Sequence, residues 1–363
     1  MFLKSIVQTI SVLPFLWPSI SAQSTTACNN SPSLCDRAYN NITHLGAHDS
    51  AFVRDSTTDF STSGNQFYNS TVQLDAGVRL LTVQVHKANS STGATEWHLC
   101  HTSCELFDAG KLSDWLTAIK AWLDANTNDV VTILVVNSDN AAASDLGTEF
   151  STSGIDKYGY VPPSSTSAPT TWPTLQTLIS NNTRLMTFVA SITPSTAYPY
   201  LMDEFTFIFE SEFTNTSPSN FSCQPNRPSS VANQPTTALN SGRMFLMNHF
   251  LYKDQAFGIL APDVNAINTT NAQTGTGSLG GQLSTCTTLY GKEPTFVLVD
   301  FFNVGPAIAS VDAANGVTGA TGRKSVSTEV LQQSANSNTG LRNSGSIFGV
   351  VIAVVVAVWF GGA

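Results

Sequence analysis

His44-Leu45-Gly46-Ala47-His48-Asp49-Ser50 follows the β-prone run Asn41-Ile42-Thr43. Together they read as a strand that opens into a loop at its C-terminal end. Alternate residues of an extended chain share a face. His44, Gly46 and His48 therefore point one way, and Asp49 begins the turn. A histidine beside a carboxylate at a strand end suits proton transfer at neutral pH.

Working outward, seven further strands fit the same reading. Val78 to His86 is the second, with Thr82, Gln84 and His86 on one face and Arg79, Leu81, Val83 and Val85 on the other. Arg79 lies early and on the opposite face, so a structural role is expected for it. Glu96 to His101, Val130 to Asn137, Arg184 to Ala190, Phe205 to Glu210, Met244 to His249 and Thr295 to Asp300 complete the set. Helical spacing marks Leu112 to Leu123, Leu283 to Leu289 and Ala307 to Ala314. A short helical turn is expected over Val72 to Ala76 and a helix over Trp172 to Ile179. Residues 138–171 read as a long excursion, a length often tied to function.

Strands alternating with helices indicate an α/β fold, a single (β/α)8 TIM-type barrel over residues 28–316. An open doubly wound sheet is disfavoured, because no Gly-rich phosphate fingerprint follows the first strand. In a barrel the C-terminal strand ends line the site. The polar residues expected there are His48, Asp49, Gln84, His86, His101, Asn137, Glu210, Asn248, His249 and Asp300.

The chain has 363 residues, a net charge of −9 and no basic run, which argues against nucleic acid as a partner. Lys4, the apolar run from Ile6 to Trp17 and the small residues Ser19, Ser21 and Ala22 read as a secretory signal peptide over residues 1–22. Six cysteines in an export context predict disulfides. Spacing favours Cys28–Cys35, Cys100–Cys104 and Cys223–Cys286 among the fifteen pairings that six allow. No CxxC pair is present, which argues against zinc. Sequons at Asn29, Asn41, Asn69, Asn89, Asn181, Asn215, Asn220 and Asn268 predict a glycosylated surface, with Asn41 the one expected to be skipped. Residues 317–346 read as a Ser/Thr/Gly/Asn-rich stalk. The apolar segment over 347–363 follows a polar spacer and small residues around Ser334 to Asn338, the layout of a glycosylphosphatidylinositol attachment signal. A retained membrane helix is the rival, and the segment is short for one. The expected location is the outer face of the plasma membrane or the cell wall.

Gly46-Ala47-His48-Asp49-Ser50-Ala51-Phe52 resembles the opening motif of the phosphatidylinositol-specific phospholipase C X-domain superfamily, in its secreted fungal-type branch. The resemblance covers about Cys28 to Gly316. It implies cleavage of an inositol phospholipid or glycosyl-inositol lipid by two histidines. His48 corresponds to the general base and His101 to the acid, with His98 as fallback. Asp49 corresponds to the carboxylate partnered with that acid, and Asp300 to a residue orienting His48. Gln84, His86, Asn137, Glu210 and His249 are the expected substrate contacts. The calcium-dependent branch has acidic ligands on strand two, where this chain has Thr82 and Gln84, so no metal or other cofactor is expected. The bacterial branch has an arginine where this chain has Gln84, so positive charge is sought at His86, Lys87 or His249. The implied partners are a phospholipid or inositol-phosphate headgroup and, through the anchor, a membrane; the chain is expected as a monomer. Two other readings are a catalytically weak protein binding headgroups or glycans, and a barrel glycoside hydrolase using Glu210 with Asp300 or Glu212.

Overall fold

The computed structural model describes residues 26–332, apart from 90–92, 94, 256 and 257. The expected signal peptide, the later part of the stalk and the attachment signal lie outside the described residues. Eight parallel strands form the centre: β1 (His44–Ala47), β2 (Leu80–Asn89), β3 (Val131–Asn137), β4 (Leu185–Ala190), β5 (Leu201–Asp203), β6 (Ile208–Glu210), β7 (Met244–Asn248) and β8 (Phe296–Val299). Their lateral order is β5-β4-β3-β2-β1-β8-β7-β6. The sheet curls into a TIM-type barrel that is open at one seam, where β5 and β6 do not pair.

Alternation along each strand sorts the core into two layers. Leu80, Leu134, Met186, Phe188, Ile208, Leu246, Phe296 and Leu298 fill the barrel interior with Tyr39. Leu45, Ala47, Leu81, Val83, Ile133, Val189 and Val297 face outward under the helices. Coverage on both faces explains why the strands read as near-continuous apolar runs. Gly46 faces inward, where an added Cβ would lie 2.8 Å from the side chains of Leu80 and Leu298.

The helices are α1 (Ser70–Ala76), α2 (Leu112–Ala125), α3 (Ala143–Ser153), α4 (Leu175–Ser180), α5 (Glu204–Phe207), α6 (Pro235–Asn240), α7 (Ile267–Thr270), α8 (Leu279–Tyr290) and α9 (Ala307–Ala314). Helix α2 buries Leu112, Leu116, Ile119, Trp122 and Leu123 against the sheet, as their spacing predicts. Among the described residues no helix is long and apolar enough to cross a membrane.

Several expected elements are corrected. Asn41 ends a short 3-10 turn, and the first strand starts at His44. Residues 95–100 are not a barrel strand. They form an antiparallel hairpin with the upper half of β2 and continue to a strand over 108–111. The missing barrel strand is β5, which the sequence reading left out. Phe205 to Glu210 is not one strand: α5 occupies its first half and β6 its second. The excursion over 138–171 carries helix α3. Arg79 is structural, as expected, bonded to Asp129 at 2.6 Å and to Asn30 at 2.6 Å.

All three expected disulfides are present. Asn41 is exposed, whereas Asn29 and Asn215 are buried, so these two would have to leave their places to carry a glycan. Residues 317–332, assigned to the stalk, instead lie against the domain. Arg323 forms a two-pronged ion pair with Asp312, and Lys324 N–H donates to Asp75 O at 2.9 Å.

Candidate active site

The site stands at the C-terminal ends of β1, β2 and β8. His48 and Asp300 follow β1 and β8, which pair in register, so two residues far apart in sequence meet side by side. His48 Nδ1 lies 2.9 Å from Asp300 Oδ1, and Asn65 Nδ2 donates to the same oxygen at 3.0 Å. With Nδ1–H directed at Asp300, Nε2 is the ring atom left to accept a proton. Gln66 holds the backbone beneath, donating to His48 O at 2.7 Å and Val299 O at 3.1 Å. Phe250 stacks on the His48 imidazole at 3.7 Å between ring centroids. These contacts leave the ring one orientation.

Asp49 lies at the centre. Its Oδ2 is 3.5 Å from His48 Nε2 and 3.6 Å from His101 Nε2. Gln84 Nε2 donates to the same oxygen at 2.8 Å, while Gln84 Oε1 accepts from Thr102 N–H at 2.9 Å. Gln84 therefore faces the mouth, as its position on β2 predicts, but both ends of its amide are spent on holding Asp49 and the His101 loop. His101 Nε2 is buried and has no hydrogen-bond partner among the described residues. Phe52 meets the His101 ring edge to face at 5.3 Å.

Burial and charge set the two imidazoles differently. Burial alone would lower His48, but Asp49 and then Asp300 outweigh it and leave the group above its usual value. For His101 burial wins over Asp49 and holds the group below the usual value. Asp300 is raised by burial, against the pull of His48.

Three non-glycine residues of the site have left-handed backbone: Asp49 at φ 48°, Thr102 beside His101 at φ 64° and Phe301 beside Asp300 at φ 45°. Aspartate tolerates this region, but a bulky residue does so only when its surroundings fix it. Phe301 is completely buried, its ring tilted against Phe67 at 4.4 Å between centroids.

A second cluster lies on the β6 and β7 side. Glu210 points into the mouth, and Arg227 Nη2 donates to its Oε2 at 2.6 Å, with Asn248 Nδ2 donating at 3.2 Å. Arg227 also packs over the Phe213 ring at 4.3 Å. Buried Glu204, at the start of α5, is pushed well above the usual carboxyl range by burial and by Glu210. Burial also works against the charge on Glu210, but Arg227 and the hydrogen bond from Glu204 more than offset it. Tyr252 joins the two clusters. Its ring stands edge-on to His48 at 6.2 Å, and its hydroxyl is raised by burial, then by Asp49 and Asp300, with Arg227 opposing.

The expected site residues divide accordingly. His48, Asp49, His101, Asp300 and Gln84 come together, and Glu210 and Asn248 join them from across the mouth. His86 stands one pleat beyond Gln84 and is held by Asp139 at 3.3 Å. Asn137 is corrected: it shares the outward face of β3 and closes the following loop through both backbone groups of Ala141. His249 is corrected too. It follows Asn248 and so points away from the mouth, buried against Phe221 and bonded to Gln282 and to Thr270 O. His98, the fallback acid, lies on the hairpin between Glu96 and Asp108. Sequence reasoning missed Arg227, which is paired with Glu210, along with Asn65, Phe250 and Tyr252. The grouping of Cys100, Cys104 and Asp108 offers no thiolate for a metal, because the two cysteines are bonded to each other.

The PI-PLC X family model matches residues 34–315. The chain belongs to the PI-PLC X family. It is 37% identical over 291 residues to PI-PLC X domain-containing protein 1 of Arthroderma benhamiae, covering 80% of this chain and 90% of that relative. An uncharacterized secreted protein of the same organism is 34% identical over 290 residues, covering 79% of this chain and 62% of that relative. Among solved structures, phosphatidylinositol-specific phospholipase C of Listeria monocytogenes superposes with a TM-score of 0.51 at 14% identity, covering 78% of this chain and 95% of that one. A Staphylococcus aureus phosphatidylinositol-specific phospholipase C gives 0.51 at 12% identity, covering 79% and 98%. At such identities the PI-PLC structures speak to fold. Fold and PI-PLC X membership together support a phospholipase C-like phosphodiesterase function.

Proposed function

We propose that the protein cleaves the phosphodiester of an inositol phospholipid or glycosyl-inositol lipid, using His48 as general base and His101 as general acid. The observation that carries this reading is the convergence of the two Nε2 atoms on one oxygen of Asp49, with His48 backed by Asp300. A hydroxyl next to the phosphate gives its proton to His48 Nε2, and its oxygen bonds to phosphorus. The bond from phosphorus to the lipid oxygen breaks, and His101 protonates that oxygen. The products are a cyclic phosphodiester and a free lipid alcohol. Bound phosphate raises His101, the group that burial depresses, and so readies it as the acid. Arg227 holds Glu210 through Nε and Nη2, which leaves Nη1 of the guanidinium to donate to the phosphoryl oxygens in place of the amide of Gln84.

Glu210 is committed to Arg227 and Asn248, which withdraws it from acid-base work in a glycoside hydrolase. The predicted signal peptide, three disulfides and a relative described as secreted support export to the cell exterior. The C-terminal sequence supports a lipid anchor there, and loss of residues 347–363 from the membrane-bound form, read by C-terminal mass spectrometry, tests it. The test of function is purified protein against a panel of phosphodiester lipids with product identification. Release of a cyclic inositol phosphate, lost in His48→Ala and His101→Ala proteins that remain folded, is the expected result. Headgroup binding without turnover would overturn the proposal.

A further inference from the structure

The segment over 321–332 is a strap that crosses the outside of the barrel from one end to the other. At the N-terminal end of the strands, Thr321 N–H donates to Asn30 O at 2.8 Å, and Asn30 Nδ2 donates to Thr321 O at 2.9 Å. Asn30 there also holds Arg79, at the foot of β2. Arg323 then lies directly over Gly77, where an added Cβ would meet its Nε at 2.5 Å. Lys324 is tied to Asp75 through backbone and side chain, and Val326 packs on the outer core. Asn303 Nδ2 donates to Ser327 O at 2.8 Å. Val330 and Leu331 finish on the cluster of Phe67, Ile267, Phe301 and Val304, beside Asp300. Leu331 and Gln332 line a groove with Arg54, Thr62 and Lys253, whose loops follow β1 and β7 at the catalytic mouth.

Gln332, the last of the described residues, therefore lies at the rim of the mouth and not at the opposite end. The small residues read as the attachment region, Ser334 to Asn338, begin two positions later. The six residues 333–338 reach at most roughly 20 Å when fully extended. We infer that the strap turns the catalytic mouth toward the bilayer that holds the tail, so that the substrate surface is a lipid surface close to the rim. This rests on the anchor reading above. It differs from a free stalk running from residue 317 to the attachment region, which would leave the barrel free to face any direction.

The test uses the full chain. All six cysteines are in disulfides, so one added cysteine can be labelled alone. Thr62→Cys marks the rim and Thr127→Cys the opposite end; both positions are exposed. Energy transfer from each label to acceptors on lipid headgroups is measured with the protein attached to membrane. At least twofold more transfer from position 62 is expected. Equal transfer, or more from 127, overturns the inference. In a protein carrying Arg323→Glu and Val330→Asp, which releases the strap, the preference should vanish; its persistence would show that the strap does not set the orientation. If the full chain does not attach to membrane at all, the anchor reading has failed. The same two labels are then compared with the chain tethered to nickel-chelating lipid through a hexahistidine inserted after Asn338, and the same outcomes decide.

Discussion

Asp49→Asn isolates the charge that couples the two histidines. Asparagine keeps the shape, still accepts from Gln84 and tolerates the left-handed backbone at this position. Only the charge 3.5 Å from His48 and 3.6 Å from His101 is lost. Two unit charges about 4 Å apart interact by about 4 kcal/mol at an effective dielectric near 20, which is the ceiling on the coupling. The Gln84 amide already leans on the same oxygen, so the loss for each histidine is a part of that ceiling. Asp49 raises both groups, so both must fall. Each histidine then loses its proton at lower pH, so both limbs of the rate profile, which belong to the coupled pair, move down. The whole bell shifts toward acid, and activity at pH 7 falls. Initial rates of cyclic product release from pH 4 to 9 read this shift. Nitrogen-15 titration of the imidazoles reads it again without substrate. A bell that merely shrinks in place would refute the coupling and leave Asp49 with a packing role.

Arg227→Gln should lower kcat by about 10²–10³ with a smaller change in KM, somewhat below what placed arginines contribute in other phosphoryl transfers; an unchanged kcat would remove Arg227 from the chemistry. Gln84→Arg should pair with Asp49, whose oxygen lies 2.8 Å from the present amide, and move the rate bell toward acid as Asp49→Asn does. A raised kcat with no shift in the bell would mean that the new guanidinium reaches the phosphate instead. His44, packed on Tyr39 and Phe296 inside the barrel, is lowered to about 4 by burial. Its usual value is about 6.5, so the unfolded chain takes up this proton first. Stability from this group is intact above pH 6.5 and falls as pH drops toward 4, by about 3 kcal/mol. Urea unfolding across that range should be flatter by this amount in His44→Gln; an equal slope in both proteins would argue against it.

Much of this was legible in the sequence because period-2 alternation survives burial. The face shared by Thr82 and Gln84 follows from parity, and so does the inward turn of His48 and Asp300. Parity also held the correct answer for His249, which cannot share the face of Asn248, Leu246 and Met244. The hairpin over 95–111 was not legible, because an antiparallel strand and a barrel strand of six residues carry the same local pattern. Nor was the seam: Phe205 to Glu210 is evenly apolar, and nothing local marks where its helical turn becomes strand. Arg227 escaped notice because it reaches Glu210 from a loop seventeen residues downstream, by a contact that no periodicity encodes.

The gap between β5 and β6 has a consequence for how this barrel could be altered. A closed ring leaves no free backbone edge; here the edge of β6 is taken by the loop, with Glu210 N–H donating to Arg227 O at 2.9 Å and Asn226 N–H to Glu210 O at 2.7 Å. The opening is a port through which a surface loop enters the barrel wall and pairs a guanidinium with Glu210. Lengthening β5 and β6 until they pair would shield two edges from association with other chains, but it would evict that loop. A more perfect barrel would be a less charged one.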